Sequence, residues 1–295
     1  MPNYNISTNK LYSQRGSSDY RMLTRETILQ EMELAGKKVL SHLLFEEKES
    51  AIIEQKISSM PLHISPKLLK HFKGFCSSPE IIMLFVYMKC RFSLSYRDLE
   101  EIAIIRGSVI DHATLQRWLI KFAPLIESQV RRRKRPVGNS WRMDETYIKI
   151  NGKWVYLYRA VDSCGNTIEF LLRKYRDAIA AKAFFRKAFK NNGIPDKVTI
   201  DKSGSNTCAL NSYNEDLPEE QKIEIRQNKY LNNIIEQDHR FIKKRTKPML
   251  GFKSFRSAKI TIAGIENIRI IQKGQILGCN DNGSTFENFK MLMAS

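Results

Sequence analysis

The sequence predicts an α/β fold. A mixed five-stranded sheet with flanking helices follows an all-α region with a helix-turn-helix outline. Three observations carry this. Residues 79–122 hold three apolar helical stretches separated by turn signals. Residues 141–172 hold three strand-like runs punctuated by turn residues. A helical stretch from Asp177 and a short apolar run at 197–200 then complete a β-β-β-α-β order. With 295 residues the chain has room for one large domain or two modest ones, each with a real core. Its expected divisions are an N-terminal extension at 1–60, a helical region with a basic linker at 61–135, and a sheet domain with a C-terminal helix at 136–295.

Residues 1–20 are polar, and Ile28, Met32, Ala35, Val39 and Leu43 then recur at steps of four and three, the spacing of one helix. Pro79 suits a helix start, and the run 81–88 is apolar enough to be buried. Ser95-Tyr96-Arg97-Asp98 reads as a capping box opening a second helix through Ile104. Arg106-Gly107 breaks it, and Asp111 caps a third helix through Phe122. In a helix-turn-helix this last helix enters the major groove, with Gln116, Arg117 and Lys121 facing outward.

After Pro136 the pattern turns to strands. Residues 141–150 alternate apolar and polar side chains and meet Asn151-Gly152, a strong hairpin signal. A second strand returns over 154–161, Asp162-Ser163-Cys164-Gly165-Asn166 makes the next turn, and a third strand spans 167–172. The helix from Asp177 is expected to bury Ala181, Phe184, Phe185 and Ala188 and to end at Gly193-Ile194-Pro195. The run 197–200 is the fourth strand and 223–226 the fifth. A right-handed crossover sets the fourth strand parallel to the first, which is the RNase H-like arrangement. It makes Asp144 and Asp201 neighbours.

The charge balance narrows the partners. Forty-nine Lys and Arg oppose 31 Asp and Glu, a net charge of +18, which favours nucleic acid. No apolar run approaches the length of a membrane span, and the N-terminus lacks the apolar core of a signal peptide. Five scattered cysteines without a C-x-x-C pair point to reduced thiols in a cytoplasmic protein rather than to disulfides or zinc. Arg131, Arg132, Arg133, Lys134 and Arg135 form a run suited to phosphate contact.

Three carboxylates stand out. Asp144 lies mid-strand, an unfavourable place for Asp unless it has a function. Asp201 ends the run 197–200, and Glu236 opens a helical stretch 34 residues further on. Carboxylates on rigid elements hold Mg²⁺ ions that drive phosphodiester chemistry. Strand alternation turns Glu145 to the face opposite Asp144, so it is expected to stay outside the site. His239, Arg240 and Lys243 fall at i+3, i+4 and i+7 from Glu236, on one helical face.

Trp141-Arg142-Met143-Asp144-Glu145-Thr146-Tyr147, Tyr156-Leu157-Tyr158-Arg159-Ala160-Val161-Asp162 and Asn233-Ile234-Ile235-Glu236-Gln237-Asp238-His239-Arg240 resemble DDE transposases of bacterial insertion sequences. The nearest resemblance is to the cointegrate-forming group with 34 residues between second Asp and Glu, and it runs from about His71 to Gly274. It implies Asp144, Asp201 and Glu236 as catalytic and metal-binding residues, with two Mg²⁺ (or Mn²⁺) ions. Asp144 and Asp201 would hold one ion, and Asp144 and Glu236 the other. It also implies terminal inverted repeats and target DNA as substrates of a cytoplasmic, nucleoid-associated enzyme, and because two ends must be brought together a homodimer or larger assembly on DNA is expected. Lys202, His239, Arg240, Lys243, Lys244 and Arg245 join the expected DNA contacts. Lys202-Ser203-Gly204-Ser205-Asn206 departs from the commoner form of the loop after the second Asp, which has Ala and an aromatic residue. The rival readings are a catalytically inactive relative or repressor, and a nuclease that cuts without joining.

Overall fold

Turn chemistry sets the frame of the sheet. In this computed structural model, which describes residues 62–202, 204–227, 233–249 and 251–295, Asn151 and Gly152 both take positive φ, 47° and 77°. That is the conformation a two-residue hairpin turn needs, and it joins β1 (Ser140–Ile150) to β2 (Lys153–Asp162). Asp162 makes the next turn by accepting hydrogen bonds from the backbone N–H groups of Gly138, Cys164 and Asn166. Strand β3 (Thr167–Arg173) follows, and α4 (Ala178–Asn192), capped by Asp177, crosses to β4 (Lys197–Ile200). With β5 (Glu224–Gln227) the order is β3-β2-β1-β4-β5, and β4 and β5 run parallel to β1. The five-stranded mixed sheet is therefore as expected from sequence.

Each face of the sheet meets its own helical layer. Trp141, Met143, Tyr158 and Ala160 pack on Phe184 and Phe185 of α4 and on Leu210 of α5 (Gly204–Asn214). Ile148, Ile150, Val155, Leu157, Phe170 and Leu172 belong to a core shared with α1 (Pro79–Arg91), α2 (Tyr96–Ile105) and α3 (His112–Arg133). Helices α7 (Phe255–Gln272) and α8 (Thr285–Ala294) complete that layer, and α6 (Asn233–Thr246) adds Ile242. Residues 62–295 thus form one unit, whereas the extension at 1–60 and its expected helix lie outside the described residues. A Cβ at Gly264 would sit 2.6 Å from Cys90 Sγ, so α7 and α1 approach this closely only because residue 264 has no side chain.

Three elements depart from the sequence reading. The third helix does not stop near Phe122 but runs through Pro124 to Arg133, so the basic run begins as a helix end and not as a linker. An internal proline costs about 3 kcal/mol, and burial of Leu125, Ile126 and Val130 on the following turns offsets it. The stretch after Asp201 becomes helical at Gly204 instead of remaining a loop. The C-terminal part holds two helices. Helix α7 is apolar on most sides and shows no stripe, the signature of a buried central helix.

Candidate active site

The parallel register of β1 and β4 assembles the carboxylates. Ser140, Trp141 and Arg142 pair with Lys197, Val198 and Thr199, so two further steps along both chains bring Asp144 beside Asp201, just past the end of β4. Beyond that end, side chains from both faces of β1 turn round its edge. Alternation does send Asp144 and Glu145 to opposite faces. His239 Nδ1 of α6 lies 3.6 Å from Asp144 Oδ2 on one side. Asn206 Nδ2 of α5 donates to Glu145 Oε1 at 3.1 Å on the other. Even so, ligand atoms of Asp144, Glu145 and Asp201 all lie within 4.8 Å of one another. Glu145 was expected outside the site. It enters because the face of a strand stops deciding access where the neighbouring strand ends.

Arg176, which sequence reasoning missed, faces this group. Its Nη2 donates to Asp201 Oδ2 at 2.8 Å and to Glu145 Oε2 at 3.4 Å. It sits among Arg173, Lys174 and Tyr175 just before the α4 cap, and no local signal separates it from those neighbours. Burial pushes the Asp144 carboxyl up to about 6, and the charges of Glu145 and Asp201 add to the effect. Burial also raises Glu145, against the opposing pull of Arg176 and Asn206. His239 is buried, and desolvation, with Arg159 and Lys243 nearby, drives its pKa down to about 3, so the imidazole is neutral.

An all-oxygen donor set, crowded enough to hold one of its own carboxyls partly protonated, fits a hard divalent cation. The cation must displace that proton. Because the Asp144 pKa is raised, the competing proton is bound below about 6 and gone above it. Mn²⁺ affinity measured by calorimetry should therefore fall about tenfold from pH 7 to pH 5. A flat profile over that interval would remove Asp144 from the ligand set.

Glu236 is not in this group. It stands exposed in the first turn of α6, three residues before His239, which is about 4.5 Å of helical rise.

Residues 138–275 match the sequence family described as the DDE domain. The transposase of the insertion sequence-like element IS431mec from Staphylococcus aureus is 38% identical over 205 residues, covering 70% of this chain and 90% of that protein. The chain belongs to the DDE transposases of insertion sequences. The transposase of IS257 in transposon Tn4003, also from Staphylococcus aureus, matches with the same identity and coverage. Among solved structures, the HTLV-2 integrase catalytic core domain in complex with magnesium aligns over 55% of this chain and 100% of that chain. The identity is 16% and the TM-score 0.36. Among the described residues of the transposase, no helix is long and apolar enough to cross a membrane.

A buried charge network fixes α6, the helix that carries Glu236. Arg159 pairs with Asp144 across β1 and β2 in the register but turns its own side chain, fully buried, toward α6 and α7. It meets Glu266 through Nε–Oε1 at 2.7 Å and Nη2–Oε2 at 2.8 Å, and reaches Asp238 Oδ2 at 3.4 Å. Arg269 at 3.3 Å and Lys273 also hold Asp238. Burial works against the Asp238 charge, but Arg159, Lys273 and Arg269 outweigh it and keep the carboxyl below its ordinary value.

The expected DNA contacts divide into exposed and engaged residues. Gln116, Arg117, Lys121 and Arg132 are exposed on α3, as are Lys202, Arg240, Lys243 and Lys244 elsewhere. Arg133 is half-buried. Arg131 is ion-paired to Glu127 at 2.8 Å and Glu169 at 3.2 Å, and Arg135 to Asp281 at 3.2 Å. Lys134 donates to Asn192 Oδ1 at 2.8 Å and to the Ile168 carbonyl. These three cations fasten the end of α3 to the rest of the unit. Arg245 is half-buried and donates to Ser93 Oγ at 3.3 Å. His239 does not present itself to DNA at all, since packing against β1 leaves it 6% exposed.

Proposed function

We propose that this transposase binds the terminal inverted repeats of its element and catalyses Mg²⁺-dependent DNA cleavage and strand transfer, by replicative cointegrate formation, with Asp144, Asp201 and Glu236 as its catalytic carboxylates. The observation that carries the reading is the meeting of Asp144 and Asp201 at the open edge of β1, beside the helix that bears Glu236. Two bound Mg²⁺ (or Mn²⁺) ions supply positive charge to the attacking and leaving oxygens of the phosphodiester. The chain's residues prepare the place. Asp144 holds its oxygens on β1 and Asp201 just past the end of β4, and neutral His239 adds no positive charge beside Asp144. The Asp238 network keeps α6, which carries Glu236 in its first turn, seated against the strand that bears Asp144. Water attacks a phosphodiester at the element's end, and the freed 3′-OH then attacks target DNA. One phosphodiester replaces another, so no energy cofactor is required. Two ends must meet, which calls for at least a dimer on DNA, and the working compartment is the cytoplasm.

The test incubates the protein with labelled terminal-repeat DNA and a target plasmid, with and without Mg²⁺. Metal-dependent joined products are expected. Binding without cleavage would favour a repressor or an inactive relative, and cleavage without joining a nuclease. Arg117, Lys121, Arg132, Lys202, Arg240, Lys243 and Lys244 act mainly on phosphates, with Gln116 directed into the groove. Affinity should then fall about a thousandfold between roughly 50 and 200 mM salt. A binding constant indifferent to salt would take the phosphate role away from these cations.

A further inference from the structure

The β1–β2 hairpin carries an aromatic row whose outer rings, Tyr147 and Trp154, the fold does not bury. Directly opposed residues share a face, so the register groups Glu145 with Tyr158, Tyr147 with Tyr156, and Lys149 with Trp154. Arg173 of β3 stands beside Tyr156. Near the acidic cluster this face is covered, and Tyr158 is fully buried and stacked on Phe184 of α4. Toward the hairpin tip the cover ends: Tyr147 is 49% exposed and Trp154 60%. Tyr147 sits edge-on to Trp154 at 6.3 Å between centroids and tilted to Tyr156 at 5.3 Å, and Lys149 Nζ lies 5.8 Å from the Trp154 ring. The opposite face of the same strands, with Ile148, Ile150, Val155 and Leu157, already supplies the core. The exposed rings are therefore not needed to hold the hairpin in place.

We propose that this face is a stacking platform for unpaired bases of the transposon-end strand whose phosphodiester lies at the acidic cluster. The proposal rests on the transposase reading above and assigns that site its strand path. Exposed rings interleaved with cations are what single-stranded nucleic acid requires, since every base offers a π-face and every linkage a negative charge. Lys149, Arg173 and the +18 net charge match such an occupant. The platform also lies on the strand that carries the site. Tyr147 is two residues and Lys149 four residues from Glu145 along one strand, about 7 and 14 Å. Those distances correspond to roughly two and four nucleotides at the spacing of stacked DNA. Bases freed when the end is opened for cleavage would be held in register with the reacting phosphate.

The test compares a duplex carrying the element's terminal repeat with the same duplex mismatched, and so unpaired, at its last base pairs. Both carry 2-aminopurine there as a fluorescent reporter. The full chain should bind the unpaired end about tenfold more tightly than the paired one, the contribution expected of base stacking on an aromatic side chain. It should also quench the reporter. Trp154→Ala and Tyr147→Ala should lose that preference and the quench while binding the paired duplex as before, and Trp154→Phe should retain most of both. If the double alanine variant keeps preference and quench, the platform is wrong and the DNA reading stands. If the unaltered protein binds neither duplex, the DNA reading falls and the platform with it. If Trp154→Ala leaves the quench intact and instead dissociates the protein in sedimentation, the face is a contact between copies of the chain, and the proposal is overturned.

Discussion

Asp144→Asn is expected to abolish joined products while leaving DNA affinity and melting temperature unchanged. The substitution preserves volume and removes one negative charge from a cluster in which burial and two neighbouring carboxylates already oppose ionisation. The fold therefore loses nothing that stabilises it, and the site loses a cation ligand. Changes to residues that merely support a metal ligand cost about ten- to a hundredfold, so loss of the ligand itself should exceed about a hundredfold. Strand transfer at near-normal rate in this variant would sink the assignment. Two companions sort the remaining acids. Glu236→Gln should match the loss, whereas Glu145→Gln should be milder, because Asn206 and Arg176 already engage Glu145. Equal loss at Glu145 and none at Glu236 would transfer the third ligand to β1.

The order of the sheet was legible because its signals are local. Asn151-Gly152, the Asp162 turn and Gly193-Ile194-Pro195 each stop an element where the structure stops it. Once the β-β-β-α-β order was set, the meeting of Asp144 and Asp201 followed from handedness alone. What sequence could not give depended on distant contacts. On α6 the reading followed the polar stripe that starts at Glu236, yet the buried stripe is Ile235, Asp238, His239 and Ile242, at the i, i+3, i+4, i+7 spacing of an ordinary apolar face. One of its two polar members, Asp238, is charged there because Arg159, 79 residues away, supplies the opposing charge. Glu266 was invisible for the same reason, its partner lying 107 residues off. Arg176 gains its meaning only from the edge where β4 ends.

That buried network should also dominate the stability of the unit. Arg159 and Glu266 are both fully buried, and Glu266 lies between Ile265 and Ile268 in the buried part of α7. Among the described residues, Glu266→Ala leaves the buried guanidinium with only Asp238, at 3.4 Å, as an ion-pair partner. Removing one member of a buried pair costs about 3–5 kcal/mol, because the survivor keeps its desolvation penalty without its compensation. For a unit of this size the expected drop in melting temperature is roughly 10 °C. The companion variant separates that penalty from any special strength of the pair. Arg159→Met combined with Glu266→Met removes both charges and fills both volumes, and should recover most of the loss. Asp238 remains held by Arg269 and Lys273 in the double variant, so α6 stays charged where it docks. A single variant that melts within about 2 °C of the parent would mean that water or a side-chain shift rescues Arg159. A double variant as unstable as the single would mean that the pair itself, and not the stranded charge, holds α7 to the sheet.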